Sequence, residues 1–292
     1  MLWGMVYLAF HVILSMLFSQ CYKVAERKKD CRTPSVHLFM YLSAVTLAIP
    51  LALLTEGFVT DMRVIGIGLA AGVLMFATMR LFFLAMTQGG LAIGWTFVSL
   101  AIVIPVVASI WIWNEVPNRY QIAGLLLVVP CVLLFSDLRL AVSGNRRRWM
   151  LLVVAASVTT GLLFVTNKAI ARLPAVSGSV SEGTPILTYL SYTFLVGGVA
   201  LCALGEWRHV SLRSAESRVG LVMGFLNVAG AWTFVKALEI VPGLVLFPVK
   251  AVCGVVLTST LAVLIWKERL SRRQMAGIAV GALSVLLVNI KS

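Results

Sequence analysis

Ten apolar runs, each long enough to cross a lipid bilayer as a helix, occupy roughly residues 2–22, 35–54, 64–86, 91–113, 120–136, 149–171, 185–205, 219–240, 244–266 and 274–290. A hydrocarbon core about 30 Å thick takes about 20 apolar residues as helix. Within it every backbone N–H and C=O must be bonded inside a helix or a closed barrel. These runs are far longer than barrel strands and lack their period-two alternation. The expectation is an all-α membrane protein with ten transmembrane helices. The short connections leave no room for a soluble domain. Composition agrees, with 60% hydrophobic and 12% charged residues, against about 45–50% and 25% in soluble domains. A soluble enzyme and a disordered chain are both excluded. The first run starts at Leu2 with no basic residue before it and no small-residue cleavage site, so it reads as a retained helix rather than a secretory leader.

The chain also resembles itself. Residues 112–124 read IWNEVPNRYQIAG and residues 265–277 read IWKERLSRRQMAG, with seven of thirteen positions identical at an offset of 153. Glu115 matches Glu268, Arg119 matches Arg272, Gln121 matches Gln274 and Gly124 matches Gly277. The same register pairs Gly90 with Gly243, and an offset of 152 pairs Gly72 with Gly224. Two five-helix repeats follow, residues 1–140 and 146–292 of one integral membrane unit. Five helices is an odd number, so the second repeat must enter the membrane from the opposite side. Inverted repeats of this kind are common in secondary transporters, with the site near the midplane between them.

The W-x-E-x-x-x-R-x-Q-x-x-G segment, present at both junctions, resembles the drug/metabolite transporter superfamily with paired EamA-type domains. That resemblance implies a central cavity lined by helices 1, 3, 4, 6, 8 and 9, with helices 5 and 10 peripheral and available for a homodimer contact. It also implies cargo drawn from amino acids, sugars, nucleotide sugars, organic phosphates or drugs, and termini in the cytoplasm.

The charge distribution points the other way on orientation. Of 24 basic residues, sixteen lie on odd-numbered connections, four on even-numbered connections or the C-terminus, and four within the spans. By the positive-inside rule the odd connections are cytoplasmic and both termini extracytoplasmic. The expectation follows the charge and places the chain in a bacterial inner (plasma) membrane. Most of the formal charge of +13 is thereby a topology signal. The run Arg146-Arg147-Arg148 belongs to it, or contacts lipid headgroups, and nucleic-acid binding is not expected.

A charge at the bilayer centre costs about 2.5–3.5 kcal/mol, so the four basic residues within the spans are candidates for function. Lys236 and Lys250 frame the turn 240–243 and are expected to attract an anionic group. The structural alternative is snorkelling, with Glu239 neutralising Lys236 three residues on. Lys250 has Phe97 as its repeat counterpart, so the fold does not demand its charge. Arg80, six residues before the end of helix 3, reads as a cavity cation or a snorkelling chain. Asn167 and Lys168 close helix 6, where interfacial anchoring is expected over substrate contact. His11 and Asn227 are mid-membrane polar groups that either bond between helices or line the cavity. Trp95 and Trp232 either stack on a substrate ring or pack. Glu115 and Glu268 sit at helix ends four residues before Arg119 and Arg272, and a turn-fixing ion pair is expected for each. Pro105, Pro130 and Pro248 are intramembrane helix breakers, Pro248 two residues before Lys250.

Five scattered cysteines and three distant histidines give no metal pattern, and phosphate, dinucleotide, zinc-protease and serine-hydrolase motifs are missing. No metal, no cofactor and no catalytic residue is expected. The leading expectation is a secondary transporter, not an enzyme, moving a small organic, anionic or zwitterionic metabolite by alternating access. The alternatives are an exporter of neutral or aromatic amino acids or drugs, with the lysines structural, and, from another class, an integral-membrane enzyme.

Overall fold

The computed structural model describes residues 2–27, 33–86, 100–135, 146–174, 183–210, 214–266 and 271–290. Among them the chain forms ten α-helices: α1 Leu2–Arg27, α2 Thr33–Thr55, α3 Met62–Met86, α4 Val103–Trp113, α5 Arg119–Phe135, α6 Arg146–Ala171, α7 Ile186–Ala203, α8 Ser214–Ile240, α9 Gly243–Trp266 and α10 Arg272–Asn289. No strand occurs among the described residues. Each expected run coincides with one helix over its described residues; residues 91–99 of the fourth run and residue 136 of the fifth lie outside them. Six helices (α1, α2, α3, α6, α7 and α8) are long and apolar enough to cross a membrane, while α4, α5 and the Gly243–Gly254 part of α9 are shorter apolar stretches.

The prolines behave more mildly than expected. Pro130 and Pro248 lie inside α5 and α9, which continue through them. Pro105 falls in the first turn of α4, where its missing N–H has no helical acceptor to lose. A lost bond within a long apolar helix costs less than exposing several backbone groups to lipid, so the helix persists.

By contact the chain divides into two compact units, Met1–Phe76 with Thr166–Ile240, and Ala77–Val165 with Val241–Ser292. The division cuts across the sequence repeat, because each unit draws from both 1–140 and 146–292.

In the first unit α8 packs on α1 and α2, and α2 packs on α7. Gly224 of α8 meets Ser43 of α2 so closely that a Cβ would collide with the Ser43 side chain. A Cβ on Gly72 of α3 would lie 2.6 Å from the Val196 Cβ of α7. The two glycines paired by the sequence repeat thus serve equivalent close crossings.

In the second unit α10 packs on α5, and α9 packs on α4, α5 and α10. The Ser284 hydroxyl donates to the Gly124 carbonyl at 2.7 Å, and the Cys131 thiol donates to the Gly277 carbonyl at 3.3 Å. Shifting 124 and 131 by 153 gives 277 and 284, so one contact occurs twice. The repeated glutamines cap helices. Asn118 accepts from the Gln121 amide at 2.9 Å and its own amide donates to Oε1 of Gln121 at 3.1 Å. Ser271 and Gln274 form the same reciprocal box at 3.2 and 2.8 Å.

Candidate functional site

The candidate cargo residue of the second unit is Lys250. Its helix, α9, starts after Pro242, whose carbonyl accepts the amides of Val245 and Leu246 at 3.1 and 3.0 Å. Proline has no side-chain oxygen with which to cap the first amides. Glu115 does so from the chain before α5, accepting the Gly243 and Leu244 amides at 3.1 and 2.9 Å. Here the structure corrects the expected Glu115–Arg119 ion pair, because the guanidinium of Arg119 lies instead 5.1 Å from the centroid of the Tyr120 ring. The helix N-terminus offers two oriented amides and a partial positive charge, which a carboxylate meets better than an exposed arginine does. Glu268 lies outside the described residues, and Arg272 opens α10 as an exposed residue.

Two turns into α9, the Lys250 ammonium sits 3.7 Å from the centroid of the Phe164 ring of α6. Phe164 in turn lies 6.2 Å from Phe247, one turn before the lysine. A cation–π contact is worth about 2 kcal/mol when desolvated, against about 2.5–3.5 kcal/mol for a charge at the bilayer centre. The ring therefore offsets part of the cost of placing the ammonium there. Nothing in the sequence links Phe164 to Lys250, which are 86 positions apart. In the same unit, Thr78 and Thr159 join α3 and α6 through hydroxyls 2.9 Å apart, and Arg80 is half-buried two residues further along α3.

In the first unit polar groups bond to one another. Lys236 reaches Glu239 at 3.0 Å, with both side chains about one quarter exposed or less. His11 lies 2.7 Å from the Gly230 carbonyl through Nδ1. The Asn227 amide donates to the Met40 sulfur at 3.8 Å. Trp232 meets Tyr7 edge-on with centroids 5.9 Å apart, joining α8 to α1. Trp95, Phe97 and Gly90 lie outside the described residues.

Asn167 and Lys168 differ from their expected place at the interface. Asn167 accepts from the Tyr189 hydroxyl at 2.8 Å, and the same hydroxyl lies 3.2 Å from that of Thr166. Lys168 is fully buried, at 0% exposure. Burial of the whole stem and head rules out snorkelling, which keeps the ammonium in water.

Glu56 escaped the sequence reading altogether. It is 6% exposed and caps α7, accepting the Leu187 and Thr188 amides at 2.8 Å each and the Thr188 hydroxyl at 2.9 Å. The α7 N-cap position is Pro185, which supplies no side-chain bond. The chain turns under Glu56 through Gly57 at φ 76° and Phe58 at φ 49°. Phe58 then packs against Tyr192 of α7, ring centroids 5.5 Å apart and planes inclined by 56°. A signal existed in the pairing of an isolated acid after one apolar run with a proline before another.

Residues 147–290 match the EamA-like transporter family, so this stretch is an EamA-like transporter domain. A crystal structure of another protein, 13% identical, is similar with a TM-score of 0.74 over 98% of this chain and 96% of that one. A likeness at that identity speaks to the fold. No curated protein matches the chain. The long apolar helices make this an integral, multi-pass membrane protein, and residues 147–290 of it form an EamA-like transporter domain.

Proposed function

We propose that the chain is a ten-span secondary transporter for a small organic metabolite bearing a negative charge, anionic or zwitterionic, working by alternating access of two inverted five-helix repeats. The observation that carries the cargo class is the Lys250 ammonium on the Phe164 ring at 3.7 Å, inside an EamA-like transporter domain. The duplicated crossings at Gly72 and Gly224 and at Gly124 and Gly277 support the repeat. The sixteen basic residues on odd connections support extracytoplasmic termini in a bacterial inner membrane. A C-terminal phosphatase fusion is then active and a C-terminal fluorescent fusion dark. The opposite pattern overturns the orientation without touching the cargo.

The cargo is tested in phospholipid vesicles carrying the full chain and offered succinate, L-glutamate, L-alanine, L-phenylalanine and glucose. Succinate or L-glutamate is expected to enter, and Lys250→Gln to slow that entry while inserting normally. Full activity of Lys250→Gln removes the lysine from the mechanism. A second reading, neutral or aromatic cargo with structural lysines, is favoured by the Lys236–Glu239 pair at 3.0 Å. Selective entry of L-alanine or L-phenylalanine, insensitive to Lys250→Gln, establishes it.

A further inference from the structure

The seat of the Lys250 ammonium in the second unit is built by α6. Gly161 of α6 meets the chain entering α4 so closely that a Cβ there would lie 2.7 Å from the Ala101 carbonyl oxygen and 2.7 Å from the Ile104 Cβ. A glycine lets α6 approach the start of α4 to backbone distance at that crossing. Helix α9 packs on the same α4. Phe164 follows Gly161 by three residues, which puts it on the same face of α6, about one turn along. From there its ring reaches α9 in two places. Its centroid lies 6.2 Å from that of Phe247, with planes inclined by 42°, and 3.7 Å from the Lys250 ammonium. Phe247 is fully buried and precedes Lys250 by three residues, so the two side chains share one face of α9.

A lysine side chain is long and rich in rotamers. Fixing its ammonium at the moment of binding costs that freedom, and a contact that fixes it beforehand removes the cost from binding. The face of an aromatic ring provides such a contact through its quadrupole, most effectively where water is excluded. An aliphatic side chain of similar size packs as well but has no quadrupole to offer.

We propose that Phe164 is a positioning residue for the cargo, its ring holding the Lys250 ammonium where a negative group meets it, so that Phe164 sets the affinity for anionic compounds through Lys250. The role in cargo binding rests on the transporter reading above, whereas the seat itself does not. A packing role alone would be served by any apolar side chain of similar size, and would be the same whether or not a lysine stands at position 250.

Transport kinetics in the vesicles described above separate the two roles. Phe164→Leu is expected to raise KM for succinate or L-glutamate by about tenfold and to change kcat by less than about twofold, in keeping with the loss of a desolvated cation–π contact. Phe164→Tyr keeps the aromatic face and should stay within about threefold of the wild-type KM. In the Lys250→Gln background Phe164→Leu should have no further effect, because no ammonium is left to place. Where the leucine variant does not fold, Phe164→Met gives the same comparison. An equal effect with and without Lys250, a loss confined to kcat, or a Phe164→Tyr loss as large as that of Phe164→Leu overturns the proposal. Thermal unfolding in detergent reads the seat without cargo. The Tm shift caused by Phe164→Leu should be smaller in the Lys250→Gln background than in the wild type, and equal shifts overturn the seat. Should neither succinate nor L-glutamate enter with the wild type, the anionic reading fails and the cargo role of Phe164 with it, while the unfolding cycle still decides the seat.

Discussion

The two compact units hold their polar groups by different means. In the first, a charge meets an opposite charge, as in Lys236 with Glu239 at 3.0 Å, or a carboxylate meets amides, as in Glu56 with α7. In the second, the ammonium of Lys250 lies 3.7 Å from the centroid of the Phe164 ring, an aromatic contact from another helix. The lesson is that a charge inside a membrane protein is not informative by itself. Lys236 and Lys250 are fourteen residues apart in the same sequence context, yet one is neutralised within its own helix and the other is presented by an aromatic face from a different one. Both units use the same device at a helix start, a glutamate supplied from elsewhere where proline leaves the amides uncapped.

The lysine contrast breaks most readily by substitution. Lys250→Gln is expected to slow transport of a charged compound by about 10–100-fold, the loss of a charge-assisted bond worth about 1.5–3 kcal/mol. Lys236→Gln should change it by less than about threefold, since an i,i+3 pair within one helix contributes about 0.2–0.5 kcal/mol. Initial rates in the same vesicles read both, and equal losses would erase the distinction.

The two trans caps differ in burial, and thermal unfolding in detergent sharpens that difference. Glu56 is 6% exposed, so Glu56→Ala leaves buried amides unsatisfied at about 1–3 kcal/mol each. Glu115 is only partly buried, and water can replace it in Glu115→Ala, so the fall in Tm should be smaller. A larger fall for Glu115→Ala would refute this ordering. The matched capping boxes predict near-equal, modest losses of about 1 kcal/mol for Asn118→Ala and Ser271→Ala, measured the same way.

Smallest is the pH effect at the mouth of α3. The side-chain hydrogen bond from Arg63, 2.8 Å from the Asp61 carboxylate, holds that carboxyl below its ordinary range. A depressed folded value stabilises the native state above the ordinary carboxylate value of about 3.9, and the contribution is lost as pH falls through the folded value. Asp61 is solvent-facing, so Asp61→Asn should barely shift Tm at pH 7 or flatten its fall in strong acid.

The fold was largely legible in the sequence because hydropathy is a local quantity. A run of twenty apolar residues in lipid has to be helical whatever surrounds it, so the runs at 120–136, 244–266 and 274–290 landed within about two residues of α5, α9 and α10. The repeat was legible for a related reason. Gly124, Gln121 and their counterparts do local work, a cap and a close crossing, which restricts residue type at fixed spacing.

Partnership across helices was not legible. Every helix here is apolar on most faces, so the pattern does not say which neighbour a polar group meets. That Glu115 caps α9 rather than pairing with Arg119, that Lys168 is buried rather than snorkelling, and that Phe164 receives Lys250 are all settled by packing. The sequence by itself determined the solvent, the helices and the duplication. Only the tertiary structure decided which groups those charges meet, because hydrogen bonds and π contacts act over a few ångströms between residues far apart in the chain.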